Sequence, residues 1–145
     1  MTHIPTTGIN HLRLTVTDLE RSRRFYTEIL GFQVAAESPS DQDDPASQAI
    51  ARLLFGGVVL RMANGVLFGL RPVAPGHDRF DEDRVGLDHL SFDVEALDDL
   101  ERAAALLDRH GVPHSAITDL GPAFGIHVLV FRDPDNVQLE LTAPR

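Results

Sequence analysis

Three side chains of this chain have the types that together bind a transition metal: His11, His89 and Glu140. The histidines are a matched pair. Gly8-Ile9-Asn10-His11-Leu12-Arg13-Leu14-Thr15-Val16 returns 78 residues later, without a gap, as Gly86-Leu87-Asp88-His89-Leu90-Ser91-Phe92-Asp93-Val94. A repeat of this size marks one supersecondary unit used twice. Two units related by a pseudo-twofold axis bring such histidines to one point. Two imidazoles and a carboxylate are borderline-to-hard donors that suit a divalent ion such as Fe, Mn, Zn, Ni or Co. The remaining octahedral positions stay open for substrate, water or dioxygen. Either histidine alone reads as an ordinary strand residue with a satisfied hydrogen bond. The repeat, and an acid centred among Val137, Leu139 and Leu141, favour a metal site.

The elements that position these groups follow from periodicity. Residues 9–16 and 87–94 alternate apolar and polar, which is the pattern of a half-buried strand. Leu12, Leu14 and Val16 take the core side, so His11, Arg13 and Thr15 take the other. Thr17 and Glu20 read as a capping box for a helix with Leu19, Ser22, Tyr26, Ile29 and Leu30 on one stripe, ended by Gly31. Phe32–Ala36 reads as a strand. Residues 37–48 are polar and proline-containing and read as a mobile loop, and 49–57 fit helix and strand equally. Val58–Ala63 and Val66–Arg71 read as a hairpin closed by a primed turn at Asn64-Gly65.

The second copy runs in parallel. A helix over 97–110 has Leu97, Leu100, Ala104 and Leu107 inward and ends at Gly111. His114–Thr118 is extended, and Asp133-Pro134-Asp135-Asn136 joins strands 126–132 and 137–141. A second match aligns residues 64–70 with 135–141 at a shift of 71, which sets Glu140 opposite Gly69. The expected fold is α+β. Two tandem βαβββ modules, 8–72 and 86–143, are joined by a linker at 73–85 within one domain, 1–145. They form a cupped mixed sheet with helices on its outer face.

On this reading His11, His89 and Glu140 share the concave side. Arg13 joins them there and suits an anionic substrate group, or pairs with an acid. Ser91, Asp93 and Gln138 are further contacts on that side. His127 opens the strand before the Asp-Pro turn, where a neutral imidazole is a candidate acid or base.

Composition bounds the partners. The net charge is −9, with acid runs in loops, and repels a phosphate backbone, so no nucleic-acid partner is expected. No apolar run is long enough for a membrane span. The N-terminus lacks a secretory pattern. Cysteine is absent, so neither disulfides nor thiolate metal sites arise. A cytoplasmic location is the expectation.

The chain resembles the vicinal oxygen chelate superfamily of glyoxalase I, extradiol dioxygenases, fosfomycin-resistance transferases and bleomycin-resistance proteins. The resemblance covers nearly the whole chain. It is carried by Ile9–Phe32 with Phe25-Tyr26 and Leu30-Gly31-Phe32, by Leu87–Val94, and by Phe131–Leu141. It implies a divalent metal held by His11, His89 and Glu140. It also implies a small substrate that chelates the ion through vicinal oxygens, and a homodimer in which modules of two chains can complete a cup. Glyoxalase I places a fourth, carboxylate ligand where Gly69 stands here, which argues against its ordinary chemistry. Dioxygenase and glyoxalase-like lyase or isomerase reactions both remain open. The competing expectation is a non-enzymatic drug-sequestering module of the bleomycin-resistance type.

Overall fold

The computed structural model describes residues 3–145. The chain forms two compact units that divide between His77 and Asp78. Each contains one four-stranded mixed sheet, so the fold is two tandem βαβββ modules.

In the first unit the elements are β1 (His11–Thr15), α1 (Leu19–Arg24), β2 (Gln33–Glu37), α2 (Pro45–Leu54), β3 (Val58–Arg61) and β4 (Leu67–Arg71). The sheet order is β1-β4-β3-β2, with β1 and β4 parallel and the other pairs antiparallel. Leu14, Val16, Leu60, Phe68 and Leu70 form the buried side, and α1 runs on through a wider π turn, Phe25–Ile29, that buries Phe25 and Tyr26 against them. Tyr26, Phe32 and Phe68 form a cluster of three mutually contacting rings, with Tyr26 stacked on Phe32 at 6.0 Å and tilted against Phe68 at 4.7 Å between centroids. Burying each of these rings contributes roughly 2–3 kcal/mol. The cap of α1 is Asp18 rather than Thr17: its carboxylate accepts from Arg21 N–H at 3.0 Å, while Thr17 Oγ1 accepts from the Arg21 side chain at 2.8 Å.

The polar stretch before residue 49 is not loop throughout. Helix α2 starts at Pro45, because Asp44 accepts from the N–H groups of Ala46 and Ser47 and proline suits the first helical position. The hairpin turn also departs from the primed form. Gly65 N–H donates to Met62 and Met62 N–H to Val66, with φ +86° at Gly65 alone, which is a wider turn with glycine at the left-handed position.

In the second unit the elements are β5 (His89–Asp93), α3 (Leu97–Arg109), β6 (Thr118–Asp119), the one-turn α4 (Gly121–Phe124), β7 (Ile126–Arg132) and β8 (Gln138–Pro144). The order β5-β8-β7-β6 repeats that of the first unit. Helix α3 lays Leu100 and Leu107 on β7 and β8, against Leu129, Phe131, Leu139 and Leu141. Leu97, expected inward, is exposed at the first turn. The residues just before β5 are strapped to the β7–β8 turn. Phe80 N–H donates to Asp135, Asn136 Nδ2 to Phe80 O, and Arg79 to Asn136 Oδ1 at 2.7 Å.

The repeat is exact in register. His11 stands beside Leu67 and Arg13 beside Gly69; in the second unit His89 stands beside Gln138 and Ser91 beside Glu140. Gly8 and Gly86 even share a backbone that favours glycine, with φ of +155° and +149°. Among the described residues no helix is long and apolar enough to cross a membrane.

Candidate metal centre

Pairing and alternation decide which side chains can meet. In the second unit His89, Ser91, Gln138, Glu140, Val130 and Arg132 share the sheet face turned away from α3. His89 Nε2 lies 3.5 Å from Glu140 Oε2. With metal–ligand bonds of about 2.0–2.2 Å, neighbouring donors of one ion stand about 3 Å apart, so this pair fits two adjacent ligands.

The other ring nitrogen of each histidine is occupied. His11 Nδ1–H donates to Asn10 Oδ1 at 2.9 Å, and His89 Nδ1–H donates to Asp88 Oδ1. These oxygens only accept, so each bond calls for a proton on Nδ1, and in the neutral ring Nε2 is then the nitrogen left to bind a metal. That is the tautomer a metal-binding imidazole needs. The Asp88 carboxylate raises the His89 pKa above its ordinary value. Burial opposes it, and the Glu140 charge adds to it.

Glu140 is also held. Gln138 Nε2 donates to Glu140 Oε1 at 3.4 Å, and Gln138 Oε1 accepts from Arg132 at 3.1 Å. Arg132 is in turn clamped by both oxygens of Glu82 and by the Asn136 carbonyl. This pairing lowers the Glu82 pKa to about 2 and raises that of Arg132. A chain of polar contacts thus runs from the strap to the carboxylate that faces His89.

His11 occupies in the first unit the place His89 has in the second. Among the described residues no group of three or more His, Asp or Glu side chains is gathered as for a metal ion. Arg13 shares the His11 face, but its arm lies across Gly69. A Cβ added there would sit 3.0 Å from Arg13 Nε and 3.1 Å from Cγ. Its guanidinium reaches the Leu53 carbonyl at 3.3 Å. The fourth acid of glyoxalase I therefore has its place taken by an arginine side chain.

The structure does not bring His127 to the His89 face. Paired with Ala143, it points with Leu129 and Phe131 toward α3, and its Nε2 is 3.9 Å from Asp119. His114 donates to Ser115 O and contacts Asp108 across the end of α3, a structural position. Asn10, Asp88, Glu82 and Arg132 were not singled out from sequence. Only the first two left a signal there, as the acceptor before each histidine of the repeat.

The chain belongs to the Glyoxalase/Bleomycin resistance protein/Dioxygenase superfamily, whose family model matches residues 8–141. It is 31% identical to YaeR of Escherichia coli (strain K12) over 133 residues, 92% of this chain and 93% of that one. A glyoxylase/bleomycin resistance protein/dioxygenase domain from Frankia sp. EAN1pec superposes with a TM-score of 0.77 at 33% identity, covering 97% of this chain and 93% of the other. Lactoylglutathione lyase of Schizosaccharomyces pombe is 28% identical over 155 residues, covering 98% of this chain and 49% of its own length.

Proposed function

We propose that this protein is a metal-dependent enzyme acting on a small molecule that chelates a divalent ion through two neighbouring oxygens, with His11, His89 and Glu140 as ligands. The observation that carries the reading is the pair His89 Nε2 and Glu140 Oε2, 3.5 Å apart on one sheet face. Each histidine of the repeat has a side-chain oxygen acceptor at Nδ1. An ion bound there would supply stabilisation for negative charge developing on substrate oxygens. The chain's own residues prepare for it. Asp88 and Asn10 fix the imidazole tautomer, and Gln138, backed by Arg132, orients Glu140. Ser91 and Asp93 lie on the same face of β5 as His89, at the distance of one and two strand repeats.

With three protein ligands and Gly69 in place of a fourth acid, the reaction falls to oxygenation of the chelated substrate or to a non-redox lyase, isomerase or transferase step. His127 has no part in the proposed site. The proposal includes a homodimer with two equivalent sites and a cytoplasmic setting.

The test is metal content of protein purified without chelator, followed by titration of the stripped chain with Mn, Fe, Co, Ni and Zn. Stoichiometric binding that is lost in folded His89→Ala and Glu140→Ala is the expected result. A wild-type chain that takes up none of these ions sinks the enzyme reading and leaves a sequestering module. Uptake unchanged in both variants sinks the ligand assignment. Light scattering that gives a monomer removes the dimer.

A further inference from the structure

Three arginines among the described residues are half-buried: Arg23, Arg71 and Arg132. Two of them carry a carboxylate. Arg23 pairs with Glu37, and Arg132 with Glu82. Arg71 pairs with none. Its Nε is buried without a hydrogen-bond partner, and its guanidinium lies over the Phe55 ring, with Cζ 4.0 Å from the centroid. A cation drawn out of water is costly unless an anion meets it. A ring on the face of a guanidinium leaves the in-plane N–H groups to do so.

Arg13 stands on the same face. Arg71 pairs with Thr15 in register and Gly69 with Arg13, so all four lie on the side of the first sheet turned away from α1. Arg13 reaches Leu53 and Arg71 reaches Phe55, so both guanidinium groups arrive at one end of α2. Arg13 spends one N–H on the Leu53 carbonyl, whereas Arg71 makes no such bond, so capping the helix does not account for it.

The backbone at Phe55 points the same way. It holds φ 54° and ψ 38°, a left-handed conformation uncommon for a residue with a Cβ, although two glycines follow directly. Glycine at this position would end the helix without strain. Phenylalanine instead sets a ring, itself 49% exposed, against Arg71.

We propose that Arg71 and Arg13, backed by the Phe55 ring, form an anion site on the first sheet that takes the carboxylate or phosphate group of a small molecule. His11 is two residues from Arg13 on the same face. That the bound group is one end of the chelating substrate rests on the function proposed above; the anion site itself does not.

The experiment titrates the full, chelator-stripped chain with inorganic phosphate and, separately, with acetate, by calorimetry. Saturable binding of one anion per chain is expected, and the tighter of the two identifies the group. Arg71→Met should weaken it about tenfold or more, the loss of a charge-assisted contact. Phe55→Gly relieves the backbone and should keep the fold while weakening binding. Arg71→Lys, which keeps the charge and loses the planar fork, should fall between, and it decides the matter should Arg71→Met not fold. Arg109→Met, an exposed arginine at the end of α3, should bind as wild type. Unsaturable uptake of both anions, or folded Arg71 and Phe55 variants that bind like wild type, overturns the proposal. Because no metal is present, failure of the metal site leaves this outcome untouched.

Discussion

Replacing Asp88 by alanine removes the acceptor that holds the proton of His89 on Nδ1. Two effects follow. The imidazole is free to take the tautomer that protonates Nε2, which competes with metal, and the ring loses its orienting bond. Partners of this kind are worth about 10–100-fold in metal affinity. The exposure of the pair selects the lower end: the side chains of His89 and Asp88 are 39% and 71% accessible. Water screens the charge at such a site, and an exposed ion pair is worth about 0–1 kcal/mol. The expected loss for Asp88→Ala is therefore about tenfold, or about 1.4 kcal/mol. Asp88→Asn separates charge from geometry, because asparagine is what the repeat places before His11. It keeps the acceptor, so its loss should be less than about threefold. In the metal-free chain it should still lower the His89 pKa, since the carboxylate is the main cause of the raised value. Competition between the protein and a coloured chelator for Mn or Zn measures the first quantity, and imidazole proton shifts against pH the second. Asp88→Ala binding metal as tightly as wild type, with the ring fold intact, would refute the argument.

Other perturbations test the scaffold. Gly57→Ala puts a Cβ 2.0 Å from the Leu70 carbonyl and 2.9 Å from that of Leu54, both backbone atoms, and should cost about 2–3 kcal/mol in urea unfolding. Ser22 is fully buried with its hydroxyl unpartnered, so Ser22→Ala should stabilise by about 0.5–1.5 kcal/mol, read as a higher midpoint in the same assay. The Arg132 pair depresses Glu82 in the folded state to about 2. Its stabilisation is thus present above the ordinary carboxylate range and lost as pH falls toward 2. Melting curves of wild type and Glu82→Gln should differ at pH 5 and converge near pH 2; a gap independent of pH would contradict the assignment.

Much of this was legible along the chain because the strands are half-buried. Alternation at 11–16 and 89–94 tells which side His11 and His89 take, and the shifts of 78 and 71 make Arg13 equivalent to Ser91 and Gly69 to Glu140; that each couple pairs across neighbouring strands is seen only in the fold. Helix α2 was hidden for a physical reason. Its N-terminus lies in an acidic, proline-containing stretch whose composition reads as loop, yet Asp44-Pro45 is itself a cap and first-turn pair. Asp88 and Asn10 were missed because neighbours on a strand point to opposite faces. Both lie one residue before their strand begins, where that rule does not hold. His127 opens its strand in the sequence, and only its pairing with Ala143 shows that it takes the face of Leu129 and Phe131 rather than that of His89. The Glu82–Arg132 clamp spans 50 residues, and no local pattern announces it.

The two halves differ where their chemistry differs. From β1 to β4 the first unit uses seven residues more than the second uses from β5 to β8, and its connection carries α2 where the second has only the single turn α4. At equivalent positions beside the first strand stand Gly69 and Glu140. In the second unit the carboxylate stays, faces a histidine and is braced by Gln138. In the first, the missing side chain is room for Arg13, whose arm crosses the glycine to reach the end of α2. Restoring an acid at residue 69 would therefore not simply add a ligand, because it would meet a guanidinium first. Glycine there and arginine at 13 form one device, and α2 supplies its far wall. In the second copy the first strand and its partner set an imidazole beside a carboxylate; in the first they set two arginines, Arg13 and Arg71, on one face.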